Sequence, residues 1–283
     1  MKYTVILLSL LLLGFKIPIE KIKASYGHIQ AHYIIQPKKD LVCDGCFTSM
    51  EVLQEINAIN EKLMSMSYVK ASSFVVMKKK KSTYSITSEH VCRELKLFLD
   101  DSKFKNLASD LMKSMIENNS ENEVYLDIQK MYEIVPVSYV YSFSGEKHQI
   151  KEITLSDVKI DTCAIKSLGS WGLEVVFAKQ GCVYEKIYNM SSSGGYYHKG
   201  AVSLREGFVN NRAEELKIEG KVFKDINIYT LLVKPGSSGS AVFNIKGEVC
   251  GSVNISFIRV DLSAGASYTD LKLFYTQLKK KIL

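Results

Sequence analysis

A Ser/Gly-rich turn near the C-terminus has the residue types that acyl-transfer chemistry needs. Residues 233–244 read VKPGSSGSAVFN, with two glycines among three serines. Gly236 and Gly239 allow the backbone to turn sharply and another segment to approach closely. Such a turn can present a serine nucleophile while nearby backbone N–H groups point at a developing oxyanion. Ordinary turns share this composition, so the nucleophile interpretation requires a base elsewhere in the chain.

The order of candidate groups along the chain narrows the class of hydrolase. All five histidines precede Ser238. An α/β-hydrolase places its histidine after the serine, and it also has a glycine where this chain has Ser240. The subtilisin order needs an alternating parallel βαβ pattern, which the sequence lacks. The order that remains is histidine, aspartate, serine.

His90 and Asp161 have the best contexts for a base and for the group that orients it. His90 ends the run STYSITSEH, where a strand pattern gives way to a helical one. Asp161 opens DTCAIK, an acidic residue that leads into an apolar strand. Each also has an ordinary interpretation, the histidine as a capping or surface residue and the aspartate as a turn residue.

The N-terminus is predicted to be a secretory signal. The run MKYTVILLSLLLLGF has one lysine followed by a short apolar stretch. A transmembrane helix needs about 20 such residues, so a signal sequence over residues 1–24 with cleavage after Ala24 fits better. We therefore expect a secreted or periplasmic protein. The alternative is an uncleaved membrane anchor, because isoleucines after the run extend the apolar character and the cleavage site is weak.

The cysteines favour disulfides over a metal site. Six cysteines form an even set in a chain that is predicted to be exported. Cys43 and Cys46 stand in CDGC, a spacing found in half of a zinc site or in a redox pair. No second such motif follows, so a local disulfide or two free thiols is expected there.

The positive charge is dispersed. The formal net charge is +7, and the densest basic run is MKKKKS at residues 77–82. This run lies between two β-like stretches and contains no aromatic residues. It is typical of a solvated hairpin tip and predicts no nucleic-acid partner.

The periodicity along the chain predicts many short strands with helices near both ends. Helical spacing occurs at residues 48–66, from about residue 91 to 116, and from residue 267 onwards. Residues 133–257 consist mainly of short β-branched and aromatic runs separated by turn residues. This pattern is typical of antiparallel barrels or sandwiches.

Three segments together resemble those of trypsin-like serine proteases. YSITSEHVC resembles the catalytic-histidine segment, DTCAIK resembles the aspartate segment, and PGSSGSAVFNIKGEVCGSV is similar to the nucleophile segment. They occur in the family's order, and ASSFVV upstream resembles its first strand. The similarity is to the compact bacterial and phage type related to the high-temperature-requirement proteases, without a PDZ-like module. It covers roughly Ala71 to the end of the chain.

The resemblance implies a mainly β fold with two antiparallel β-barrels of trypsin-like type and added N-terminal, inserted and C-terminal helices. We expect residues 25–67 to form an N-terminal helical extension. Residues 68–170 would form the first barrel with a helical insertion at about 94–118. Residues 171–283 would form the second barrel and a C-terminal helix.

The resemblance also implies a serine endopeptidase that works through an acyl-enzyme. Ser238 would be the nucleophile, His90 the base and Asp161 its orienter, and the N–H groups of Gly236 and Ser238 would form the oxyanion hole. The substrate pocket would contain the residues Leu232 and Asn254. The expected partner is a protein or peptide substrate, with no metal or organic cofactor, and membrane contact only if the N-terminal segment stays uncleaved.

The chain departs from the family around the nucleophile. Ser237 replaces the usual Asp or Asn, Ser240 the second glycine, and Ala241 the proline. The alternative is therefore that the chain is a secreted barrel protein that has lost protease activity and binds a partner.

The resemblance implies a disulfide pairing as well. Since a triad would bring the histidine and aspartate segments together, we expect a Cys92–Cys163 bridge. Cys182–Cys250 and Cys43–Cys46 are then left as pairs.

Overall fold

A computed structural model of the chain describes residues 18–38, 50–65, 69–100, 132–218, 221–257 and 261–283, with isolated positions between 106 and 114. The helices in these ranges are α1 Ile19–Ser25, α2 Met50–Ser65, α3 Glu89–Asp100 and α4 Tyr268–Ile282. The strands are β1 Tyr26–Pro37, β2 Val69–Lys79, β3 Ser82–Thr87, β4 Tyr132–Ser142, β5 Lys147–Asp157, β6 Thr162–Leu168, β7 Val176–Phe177, β8 Lys186–Ser191, β9 Ser203–Ile218, β10 Lys221–Tyr229, β11 Ser240–Asn244, β12 Glu248–Val253, β13 Ile255–Phe257 and β14 Leu262–Ala266.

The first six strands form a closed barrel in the order β1-β2-β3-β6-β5-β4. Strands β2 and β3 make an antiparallel hairpin whose tip carries Lys80 at φ 54°, and Lys78, Lys80 and Lys81 are exposed. The hairpin and its lysine tip agree with the sequence-based expectation. Strand β6 pairs with β3 on one side and with β5 on the other.

The remaining strands form an eight-stranded sheet in the order β13-β14-β10-β9-β8-β11-β12-β7. An isolated bridge joins Gly251 of β12 to Ser267, directly after β14, so the sheet curls back on itself. A closed barrel and a second curled sheet confirm the predicted mainly β, double-barrel architecture.

The chain divides into two compact units. The first comprises Met1–His28, Ala71–Cys92 and Val140–Leu283, and it contains every candidate site residue. The second comprises Ile29–Lys70 and Arg93–Tyr139. Within the second unit, the amide of Asn60 on α2 bonds both backbone groups of Ile35 on β1.

Strand β1 lies within residues 25–67, for which the sequence analysis predicts a helical extension. Its sequence, YGHIQAHYIIQP, is rich in aromatic and β-branched residues, which favour a strand. Only α2, later in the same segment, is helical as predicted, and its Ile56, Ile59 and Leu63 are buried. The barrel-forming role of β1 depends on strand pairing distant in sequence, which local periodicity does not reveal.

Helix α4 has the predicted buried face. Ser267 caps its first turn by accepting from the backbone N–H of Asp270. Leu271, Phe274 and Leu278 are buried in a core cluster that also contains Ile22 of α1. Cleavage after Ala24 would therefore remove a core side chain, and the predicted signal peptide stays a prediction.

The apolar N-terminal run itself lies outside the described residues. None of the helices within the described ranges is long and apolar enough to cross a bilayer.

Both long-range disulfides match the expected pairing. Cys92 bonds Cys163 with Cα atoms 6.5 Å apart, and Cys182 bonds Cys250 with Cα atoms 5.7 Å apart. Cys43 and Cys46 lie outside the described residues. Because disulfides persist in oxidising compartments, the two bridges indicate an extracellular or periplasmic location.

Candidate active site

His90 and Asp161 lie at the same end of the barrel because β3 and β6 are neighbours. Thr87, the last residue of β3, is opposite Cys163, the second residue of β6. His90 follows in the first turn of α3, and Asp161 immediately precedes β6. Asp161 adopts a left-handed backbone conformation at φ 47°, which is costly for a residue with a side chain. The turn therefore has to be held by its surroundings.

The Asp161 carboxylate contacts His90 twice. Oδ1 accepts from the backbone N–H of His90 at 2.9 Å, and Oδ2 lies 2.9 Å from Nδ1. An ionised carboxylate only accepts hydrogen bonds, so a neutral imidazole in this position carries its proton on Nδ1 and its lone pair on Nε2. This tautomer is the one a general base requires. The Asp161 side chain is 10% exposed and that of His90 is 27% exposed, so the carboxylate is sheltered and the imidazole remains accessible.

The Cys92–Cys163 disulfide ties the same two segments together. Each cysteine is two residues beyond its candidate catalytic group, so the bridge joins the start of α3 to the start of β6. The Cys163 sulfur also lies 3.2 Å from the carbonyl of Ser88. The His90 and Asp161 segments are therefore joined covalently as well as through the carboxylate.

Asn254 lies behind Asp161. Its Nδ2 donates to the carbonyls of Asp161 at 2.7 Å and Ile160 at 3.2 Å. Its Oδ1 accepts from the Ser252 hydroxyl at 2.8 Å, and the side chain is buried. Asn254 thus holds the turn that presents Asp161. The resemblance to trypsin-like proteases predicts that Asn254 lies in the substrate pocket. No sequence motif indicated its contact with Asp161.

Gly239 allows the Ser238 turn to pack directly against the end of β3. A Cβ atom on Gly239 would collide with the Thr87 side chain and with the Ser72 carbonyl, and φ is +82°. The Ser72 backbone N–H donates to the Ser238 carbonyl at 3.0 Å, and Thr87 Oγ1 donates to the Ser72 carbonyl at 2.7 Å. The partly exposed Ser238 is thereby positioned beside the strand that leads into His90.

The carbonyl groups of Pro235 and Ser237, which flank Gly236 in the Ser238 turn, each accept two hydrogen bonds. Gly194 and Gly195 donate their N–H groups to the Pro235 carbonyl at 2.6 and 3.1 Å. The Ser237 carbonyl accepts from the N–H and the hydroxyl of Ser240 at 3.0 and 2.7 Å. The turn therefore has little freedom to rotate its peptide planes.

Two buried serines hold the Gly236 carbonyl. The hydroxyls of Ser72 and Ser192 each donate to it at 2.9 Å, and the two oxygens are 3.0 Å apart. Tyr26 lies beside both serines, and burial raises its pKa, so the phenol stays neutral. Ser72 stands in ASSFVV, the segment that resembles the first strand of trypsin-like proteases, but no sequence motif indicated that Ser72 or Ser192 binds the Gly236 carbonyl.

Two backbone N–H groups of the turn remain available. The amide of Ser237 donates to Lys234 at 3.1 Å and that of Gly239 to Val253 at 2.7 Å. Within the described ranges, the amides of Gly236 and Ser238 have no hydrogen-bond acceptor. Gly236 has φ +95°, and a Cβ atom there would collide with the Ser192 carbonyl, so this position requires glycine. Two unengaged donors beside a serine hydroxyl can stabilise an oxyanion.

Two solved structures share this architecture. A crystal structure of Rv3671c from M. tuberculosis H37Rv, an inactive mutant form, matches with a TM-score of 0.53 and 11% identity over 95% of this chain and 94% of that chain. The active form of the Rv3671c protease from M. tuberculosis matches with a TM-score of 0.53 and 12% identity over 91% of this chain and 82% of that chain. The chain has the trypsin-like double-barrel fold. The sequence matches no protein-family model and no curated protein.

The resemblance to trypsin-like proteases predicts a substrate-pocket residue six positions before Ser238. That residue here is Leu232, whose side chain is 44% exposed. The adjacent Val233 carbonyl accepts from the hydroxyl of Ser256 on β13 at 2.7 Å. This hydrogen bond joins the segment that contains Leu232 and Val233 to β13. Ser237, at the position where trypsin-like proteases usually have Asp or Asn, is buried and donates to the Ser191 hydroxyl at 3.0 Å. Neither Leu232 nor Ser237 brings a charge to the site.

Proposed function

We propose that this protein is a serine endopeptidase that hydrolyses peptide bonds through Ser238, His90 and Asp161. The observation that carries the proposal is the double contact of the Asp161 carboxylate with His90, at 2.9 Å to the backbone N–H and 2.9 Å to Nδ1. It leaves Nε2 as the nitrogen that acts as the base, on a side chain that is 27% exposed. The fold shared with the M. tuberculosis protease supports the same reaction class.

The proposed reaction begins when Nε2 of His90 accepts the Ser238 proton as the hydroxyl attacks the peptide carbonyl. Asp161 stabilises the resulting imidazolium, and the amides of Gly236 and Ser238 donate to the oxyanion. His90 then protonates the leaving amine, which departs and leaves an acyl-enzyme on Ser238. A water molecule, deprotonated by His90, releases the acyl group and regenerates the serine.

A fluorophosphonate probe tests this proposal directly. The activated serine oxygen displaces fluoride and forms a stable phosphonyl ester, so only a working serine–histidine pair is labelled. We expect labelling of the wild-type protein and of Ser170→Ala, which removes an exposed serine outside the site. Labelling should be lost in Ser238→Ala. A folded wild-type protein that takes up no probe would contradict the proposal and favour the inactive binding protein.

The pocket residue predicts the preferred substrate. Leu232 offers no charge, and burying an unpaired cation costs several kcal/mol, about 3 or more. We therefore expect cleavage after uncharged, small-to-medium residues. Asp261, which directly precedes β14, is the candidate acid for the opposite preference.

Cleavage-site profiling in a mixed peptide library measures this preference. Leu232→Asp is the matched variant, and it should raise the relative kcat/KM for Arg or Lys by about tenfold or more, because it supplies the missing counter-charge. A wild-type preference for Arg or Lys that disappears in Asp261→Asn would show instead that Asp261 is the pocket acid.

A further inference from the structure

Ser240 stands where trypsin-like proteases have a second glycine, and its hydroxyl has a defined role in the turn. The residue is fully buried at the start of β11. Its Oγ donates to the Ser237 carbonyl at 2.7 Å, and its backbone N–H bonds the same carbonyl at 3.0 Å. Glycine could supply only the second of these bonds. Ser240 therefore holds the Ser237 carbonyl from two positions.

Asn189 fixes the direction of the Ser240 hydrogen bond. Its Nδ2 donates to the Ala241 carbonyl at 2.9 Å and lies 2.8 Å from Ser240 Oγ. Because a backbone carbonyl can only accept, the atom facing it is the amide nitrogen. The Ser240 oxygen thus accepts from Asn189 and directs its own proton to Ser237. Asn189 is fully buried on β8, opposite Val242 of β11, so its position is set by the sheet.

The bond to the Ser237 carbonyl determines where the Ser238 amide points. The two groups belong to one trans peptide unit, in which C=O and N–H point in opposite directions. Holding the oxygen with two donors therefore fixes the N–H vector. This N–H is one of the two amides that have no acceptor within the described ranges.

We propose that Asn189 and Ser240 form a positioning relay that aims the Ser238 N–H into the oxyanion hole. The inference rests on the proposed protease function, and it assigns a role to a departure from the family's sequence. Neither residue touches substrate, and both act through the peptide plane of Ser237 and Ser238. The Gly236 donor is independent of the relay, because its peptide plane is held by the amides of Gly194 and Gly195.

The expected effect is a partial loss of transition-state stabilisation. Removing one oxyanion donor entirely costs about 10²- to 10³-fold in kcat, and a misaligned donor costs less. For Ser240→Ala we expect kcat to fall about 10- to 100-fold while KM changes less than about threefold. Affinity for a peptide boronate, which mimics the tetrahedral intermediate, should fall by a similar factor. The pH profile should keep its shape, since His90 and Asp161 are untouched.

Ser191→Ala is the matched control for this variant. Ser191 is also buried and also bonds Ser237, but through the Ser237 hydroxyl and not through its carbonyl. We expect this variant to retain wild-type kcat and boronate affinity within about threefold. Equal losses in both variants would show general loosening of the turn and overturn the relay. A Ser240→Ala protein with wild-type kcat and boronate affinity would overturn it as well.

An NMR readout separates failure of the relay from failure of the proposed function. In Ser240→Ala the Ser238 amide resonance should shift strongly while the Gly236 resonance stays close to its wild-type position. This measurement needs no catalytic activity. If the wild-type protein is inactive, the protease proposal is contradicted, and the NMR comparison still tests the relay. Ser240→Gly provides a second variant if Ser240→Ala does not fold, and an unshifted Ser238 amide in a folded variant would contradict the relay.

Discussion

Ser238→Ala is expected to lower kcat for peptide hydrolysis by about 10⁴-fold or more and to leave the fold intact. The hydroxyl is the only group in the proposed mechanism that bonds covalently to the substrate. The main-chain bond from Ser72 to the Ser238 carbonyl, at 3.0 Å, does not depend on the side chain. Thermal unfolding of the variant should therefore match that of the wild type.

The same loss is expected for His90→Ala, and combining the two changes should add little, because serine and base act as one unit. Steady-state hydrolysis of a peptide reporter measures all three variants. A purified Ser238→Ala protein that keeps more than about one-tenth of wild-type kcat would refute the nucleophile assignment. A loss confined to His90→Ala would indicate a different nucleophile with the same base.

Asp161→Asn is expected to reduce kcat by about 10³- to 10⁴-fold. An asparagine amide can donate to Nδ1, and the histidine proton then moves to Nε2, the position that must be basic. The variant also lacks the negative charge that stabilises the imidazolium. Asn254 and the Cys92–Cys163 disulfide would still hold the turn, so the loss should reflect chemistry and not unfolding.

Asp157→Asn is the matched control for Asp161→Asn. Asp157 ends β5, and its Oδ1 accepts from the backbone N–H of Lys159 at 2.9 Å. An asparagine carbonyl oxygen can accept the same bond, so we expect kcat within about threefold of the wild type. If Asp157→Asn were the damaging change and Asp161→Asn were active, the orienter would be Asp157. Hydrolysis of the same peptide reporter compares the two variants.

These experiments also distinguish the protease from the alternative function. An inactive binding protein would show low hydrolysis in the wild type and in every variant, with no difference between Asp161→Asn and Asp157→Asn. A protease would show large, residue-specific losses at Ser238, His90 and Asp161. The relay variants would then lie between these extremes, because they weaken one donor and remove no reacting group.

Local sequence determined the features that depend on neighbouring residues. Hydrophobic periodicity over about ten residues is enough to predict three features. These are the lysine-tipped hairpin, the buried face of α4 and the mainly β pattern. The double-barrel fold was predicted from the short motifs around His90, Asp161 and Ser238 and from the order of these residues along the chain. The resemblance to trypsin-like proteases implies that the His90 and Asp161 segments meet, and this implied the Cys92–Cys163 and Cys182–Cys250 pairs that the structure contains.

Only the tertiary structure decided the contacts that hold the candidate site in shape. Asn254 reaches the Asp161 carbonyl across 93 residues of sequence, and Asn189 reaches Ser240 across 51. Both are side-chain bonds from single polar residues whose types occur equally in loops, so no spacing in the sequence distinguishes them. The sequence also does not reveal that β1 belongs to the barrel, because a strand pattern does not show which strand it pairs with. Positioning of the candidate site therefore depends on long-range hydrogen bonds, whereas the proposed reacting groups stand in short motifs that are visible in the sequence alone.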